Sequence, residues 1–203
     1  MKKNDYYIAA FIGFFAGIFA IPIVLNVGFA ERILLLGMPW IGAAGLAAAV
    51  FLGGVLGRRI MIFVQFSRFA AVGILNTAID FGILNTLSLV SGATAGLVIG
   101  GVNLPGFSIA VFNSYLWNKL WVFQDRPHGE KLFHDFPRFL MVTGVGVVVN
   151  SALVVILTTY GGPLVDIEPA RWLNIAKVMA TAVTFLWNFT GYKFIVFRQA
   201  RPL

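Results

Sequence analysis

Asp80 and Lys177 are ionisable residues set inside stretches that are otherwise apolar, 68–90 and 173–197. An aspartate at the centre of a membrane helix costs about 2.5–3.5 kcal/mol, so such a group must find a partner or reach water. Asp80 follows Arg68 by about 12 residues, roughly 18 Å along a helix rising 1.5 Å per residue. Lys177 precedes Lys193 by about 16 residues, roughly 24 Å on the same arithmetic. The two depths differ by only about 6 Å, and the spacing predicts that Asp80 and Lys177 pair directly or through water. Asn76 lies one turn before Asp80 on the same helix face. Asn113, Asn118, Asn150 and Asn188 add neutral donors and acceptors in other apolar runs. Such a set supplies either a hydrated polar route through lipid or a lock on helix register.

The elements that hold these residues follow from composition. The chain has 203 residues, of which 59% are hydrophobic and 11% charged, with a mean hydropathy of +0.88. Soluble domains carry about 25% charge and about 45–50% apolar residues. Lipid must therefore be the solvent, which excludes an ordinary soluble enzyme, a secreted disulfide scaffold and a disordered chain. With no cysteine there is no thiolate nucleophile, disulfide or thiolate metal site. Apolar runs at 7–29, 33–57, 68–90, 97–123, 138–160 and 173–197 lack the alternation of barrel strands. They predict an all-α membrane protein with six transmembrane helices. Pro105-Gly106 leaves two readings of the fourth: a helix from near 97, or one starting at Pro105 after an irregular or re-entrant segment.

Charge sets the orientation. With both termini cytoplasmic, 12 of the Lys and Arg residues fall on the cytoplasmic side and only Arg32 and Arg171 on the other, as the positive-inside tendency requires. The net charge of +7 is thereby spread along one membrane face, and nucleic-acid binding loses its support. Lys2-Lys3 and the run after them resemble a signal peptide, but about 23 apolar residues exceed the roughly 7–15 of a signal core.

The last 140 or so residues are built twice. Arg68-Phe69 and Arg138-Phe139 open two hairpins, with Val72 and Val142 at the same offset and Asp80 opposite Asn150. The hairpins end in Lys119-Leu-Trp-Val-Phe123 and Lys193-Phe-Ile-Val-Phe197, which sets Lys177 opposite Asn103. Both start and end on one side, so the last four helices form two parallel-repeat hairpins, an arrangement found in transporters.

Arg-Phe-x-x-Val-Gly at 68–73, Asn76 and Asp80, Asn-Lys-x-Trp-x-Phe at 118–123, the second Arg-Phe at 138, and Asn188, Lys193 and Phe197 together resemble the GtrA-like family. The resemblance covers about 65–203, so residues 1–64 read as an extra N-terminal transmembrane hairpin and 65–203 as a GtrA-like four-helix domain. It implies a multi-pass protein of the cytoplasmic (inner) cell membrane that flips a polyprenyl-phosphate-linked sugar for surface polysaccharide or glycan modification. On that reading Asn76, Asn113, Asn118, Asn150 and Asn188 hydrogen-bond the sugar, with Asp80 and Lys177 beside the route. Arg68, Lys119, Arg138 and Lys193 form a ring of cations for the phosphate. Taken singly, these four also read as topological anchors that snorkel. Trp117, Trp121 and Trp187 read first as interfacial belt residues, and second as platforms for a sugar ring.

No Ser/His/Asp arrangement, phosphate-binding glycine loop or acidic metal motif is present, so no enzyme, cofactor or metal is expected. His128 and His134 sit in a charged loop that reads as solvated. Two other functions stay open: a membrane anchor or assembly subunit for a polyprenyl-glycosyltransferase, and a cation-coupled exporter using Asp80. Small-residue pairs at Gly13/Gly17, Gly53/Gly57 and Gly96/Gly100 predict close helix approach, within the chain or in a homo-oligomer.

Overall fold

The computed structural model describes residues 3–26, 31–91, 96–125, 132–161 and 169–197, without the side chains of 26, 88, 96–104, 151, 154, 158 and 169–178. Every regular element among them is helical: α1 (Lys3–Asn26), α2 (Arg32–Leu56), α3 (Ile62–Ser91), α4 (Gly96–Trp117), α5 (Phe136–Ile156) and α6 (Pro169–Gly191). The chain is a membrane protein, and α1, α2 and α3 are each long and apolar enough to cross a bilayer. Their outward faces carry large apolar side chains, as at Ile33, Leu36, Trp40 and Phe51 of α2. In water such a face would be an association site; in lipid it is simply solvated.

The same solvent explains the helices. Lipid offers the backbone no hydrogen bonds, so each segment satisfies its own. Polar side chains on these helices fold back in the same way. Thr77, Asn85, Thr86 and Ser91 each donate to the carbonyl four residues earlier. Pro22, Pro39 and Pro105 all lie inside helices. The fourth helix therefore runs from Gly96 through Pro105, and the re-entrant alternative falls.

Two compact units divide the chain, 1–124 and 125–203. In the first, α1 packs on α2 and α3, and α3 on α4. A Cβ on Gly13 would collide with the backbone of Gly42, and one on Gly17 would lie 2.6 Å from the Pro39 Cα. These small residues thus serve packing within the unit. In the second, α5 packs on α6. Both α4 and α6 end in a π turn, Asn118–Val122 and Tyr192–Val196. Each closes with an i→i−5 bond, Phe123 N to Asn118 O at 2.9 Å and Phe197 N to Tyr192 O at 2.8 Å. A further π turn, Leu157–Gly161, extends α5.

Candidate functional site

Three elements of the first unit meet at one end: the first turn of α1, the start of α3 and the π turn after α4. Arg68 is buried there at 6% exposure, and so is Asp5 at 4%. Arg68 Nη2 donates to Asp5 Oδ2 at 2.7 Å and Nη1 to the Trp121 carbonyl at 3.2 Å. Trp121 Nε1 donates to Asp5 Oδ1 at 3.2 Å, so carboxylate, guanidinium and indole belong to one network. The guanidinium also lies 5.9 Å from the Trp121 ring centroid. Arg68 Nε is buried with no partner among the described residues. Trp121 is buried, and its ring packs edge-on against Trp117. The expectation that Trp121 is an interfacial belt residue is corrected to a side chain enclosed by protein.

The π turn also turns Asn118 and Lys119 inward. Lys119 is only 2% exposed, with Nζ 5.8 Å from the Tyr115 ring centroid. Asn118 donates to the carbonyl of Ser114 at 2.8 Å and to its hydroxyl at 3.2 Å. Its own Oδ1 is buried without a partner among the described residues. An ordinary α-turn would rotate these side chains by a different step, so the wide turn sets which of them point inward.

Deeper in the unit, Asn76 and Asp80 both face α4. Asn113 Nδ2 donates to Asn76 Oδ1 at 2.7 Å. One turn on, Asp80 stands against Gly106, where a Cβ would lie 2.7 Å from the Asp80 carbonyl oxygen and 3.3 Å from Oδ1. That Oδ1 is buried and has no hydrogen-bond partner among the described residues. The Lys177 side chain, expected to pair with Asp80, lies outside the described residues, as does Asn103.

The second unit answers the same positions differently. Arg138 is exposed. Asn150 Nδ2 donates to Thr184 Oγ1 at 3.2 Å. Lys193 is half-buried, with Nζ 5.8 Å from the Phe189 ring and 5.6 Å from the Phe194 ring. Asn188 Oδ1 is buried beside Gly146 with no partner among the described residues. Trp187 Nε1 donates to the Val142 carbonyl at 3.0 Å, and the Thr143 and Tyr192 hydroxyls share a 2.8 Å bond. In the turn before α5, His134 Nδ1 lies 3.3 Å from Asp135 Oδ1. His128 lies outside the described residues.

The family model described as "GtrA/DPMS, transmembrane domain" matches residues 68–197. The chain belongs to this family. It is also 28% identical over 134 residues to the uncharacterized membrane protein YngA of Bacillus subtilis (strain 168), covering 64% of this chain and 77% of that one. No solved structure matches.

The GtrA-like match begins at Arg68, so the carboxylate that neutralises Arg68 comes from outside it. Asp5 was not singled out from the sequence. The available signal was depth: Asp5 lies in the first turn of α1 and Arg68 about two turns into α3, at ends that the charge count assigns to the same membrane face. Matching acids to bases by depth, as for Asp80 and Lys177, would have paired them.

Proposed function

We propose that this GtrA-like protein translocates the head of a polyprenyl-phosphate-linked sugar across the cytoplasmic membrane, the polyprenyl chain staying in lipid. The observation that carries this reading is the polar seam between α3 and α4, Asn76–Asn113 followed by Asp80, whose Oδ1 is buried with no hydrogen-bond partner among the described residues. A buried acceptor without a donor is costly. A sugar hydroxyl passing along the seam would supply the missing donor, while each hydroxyl loses several kcal/mol if it crosses hydrocarbon unpaired. Within the first unit, Arg68 of α3 and Lys119 of the π turn after α4 suit a phosphate at headgroup depth. On this reading the chain makes and breaks no covalent bond, and a separate membrane glycosyltransferase supplies or uses the lipid.

Labelled polyprenyl-phosphate sugar in proteoliposomes tests this. Wild-type protein accelerates its movement between leaflets, and Asp80→Ala and Asn76→Ala reduce that rate at least ten-fold, about 1.4 kcal/mol of barrier. Folded wild-type protein that gives no acceleration overturns the proposal. Should both variants fold and keep full glycan output in cells, an assembly subunit for the transferase is the better description.

A further inference from the structure

Arg68 stands where a lipid phosphate would arrive, yet its charge is already met by a carboxylate from the first turn of α1. We propose that Asp5 is a resident counter-anion that the lipid phosphate displaces from Arg68. This rests on the translocation reading and names the group that controls entry to its site.

The geometry of the pair carries the inference. Asp5 engages Arg68 through Nη2, Nη1 is taken by the Trp121 carbonyl, and Nε is left buried without a partner among the described residues. A guanidinium fork is suited to receiving two oxygens at once. A phosphate replacing Asp5 can take Nη2 with one oxygen and Nε with another, which satisfies a buried donor that the carboxylate leaves open. The departing carboxylate also frees Trp121 Nε1, whose bond to Asp5 Oδ1 is 3.2 Å, for a further oxygen of the incoming head. Asp5 lies in the first turn of its helix, and helix ends open at lower cost than their middles. An incoming anion thus has both a reason to win and a path to do so.

The test uses the detergent-solubilised full chain, titrated with polyprenyl phosphate, with the uncharged polyprenol and with inorganic phosphate. Asp5→Asn melts below wild type without lipid and is restored by polyprenyl phosphate, not by polyprenol. If Asp5 holds Arg68 about nine-tenths of the time, its removal tightens polyprenyl phosphate binding about ten-fold. Asp5→Glu retains the charge and binds as wild type does. Should Asp5→Asn yield no folded protein alone, recovery on adding polyprenyl phosphate supports the exchange, and no recovery overturns it. An Asp5→Asn variant that binds no tighter, or that polyprenol rescues equally, also overturns it. Rescue by inorganic phosphate as complete as by the lipid overturns a lipid source for the anion. Wild-type protein that fails to distinguish polyprenyl phosphate from polyprenol sinks the translocation reading; wild-type discrimination without a gain in Asp5→Asn sinks only the exchange.

Discussion

The hairpin α3–α4 and the hairpin α5–α6 share their backbone endings and differ in what they bury. Each finishes in a π turn whose second residue is a lysine, and each closes on a buried phenylalanine, Phe123 or Phe197. Around the first turn sit Arg68, Asp5, Asn118, Lys119 and Trp121, all buried. At the matching places of the second, Arg138 is exposed, Tyr192 replaces Asn118 and Ile195 replaces Trp121. Phe139 stacks on Tyr192 with centroids 4.6 Å apart, so an aromatic core fills the place of the ionic one. Position 73 completes the contrast. Thr143 gives Tyr192 a hydroxyl partner, whereas the matching Gly73 has no side chain to offer, and Asn118 Oδ1 has no partner among the described residues. The same π turn thus closes on stacked aromatic rings in one hairpin and on a buried ion pair in the other.

Breaking the ion pair produces the largest expected difference. Arg68→Gln removes the cation 2.7 Å from the buried Asp5 carboxylate, and losing one partner of a buried pair costs about 3–5 kcal/mol. Arg138→Gln removes an exposed charge and stays within about 0.5 kcal/mol. Thermal unfolding of both variants in the same detergent measures the gap. Equal losses would mean that the two hairpins bury their arginines alike in the membrane, and the contrast would fail.

Glycine packing gives the next contrast. Gly17→Ala drives a methyl group into the backbone of Met38 and Pro39, where no side chain can swing aside. Overpacking of that kind costs about 1–3 kcal/mol. Gly144→Ala in α5 meets nothing within 4 Å. It gains up to about 1 kcal/mol, because alanine is the better helix former. Opposite shifts in melting temperature are the expected result, and shifts of the same sign would contradict the close α1–α2 approach.

What could be read from sequence divides along the same line. The six helices follow from local composition, because an apolar run in lipid has no alternative but to close its own hydrogen bonds. The shared face of Asn76 and Asp80 follows from helical period alone. The Asp5–Arg68 pair does not, since 63 residues separate its members and no period links them. The π turns were equally illegible: Asn118–Val122 and Tyr192–Val196 share only lysine and valine, and their common geometry is set by packing rather than by residue type. Burial of Trp121 follows from that network, which no local pattern announces, whereas its residue type alone points to an interfacial belt.

The finest contrast compares one neutral hydrogen bond from each hairpin. Asn76–Asn113 joins α3 to α4, and Thr143–Tyr192 joins α5 to the π turn after α6. Interhelical bonds of this kind couple by only about 0.6 kcal/mol on average in membranes, so double-mutant cycles with Asn76→Ala/Asn113→Ala and Thr143→Val/Tyr192→Phe should return similar small energies. Stability alone therefore cannot tell the hairpins apart at these positions, and function must. If the polar seam carries a sugar head, either asparagine variant slows leaflet exchange while the hydroxyl variants leave it near wild type. Equal slowing by both pairs would show that each bond only fixes its helices, and the asymmetry between the hairpins would then concern packing and not transport.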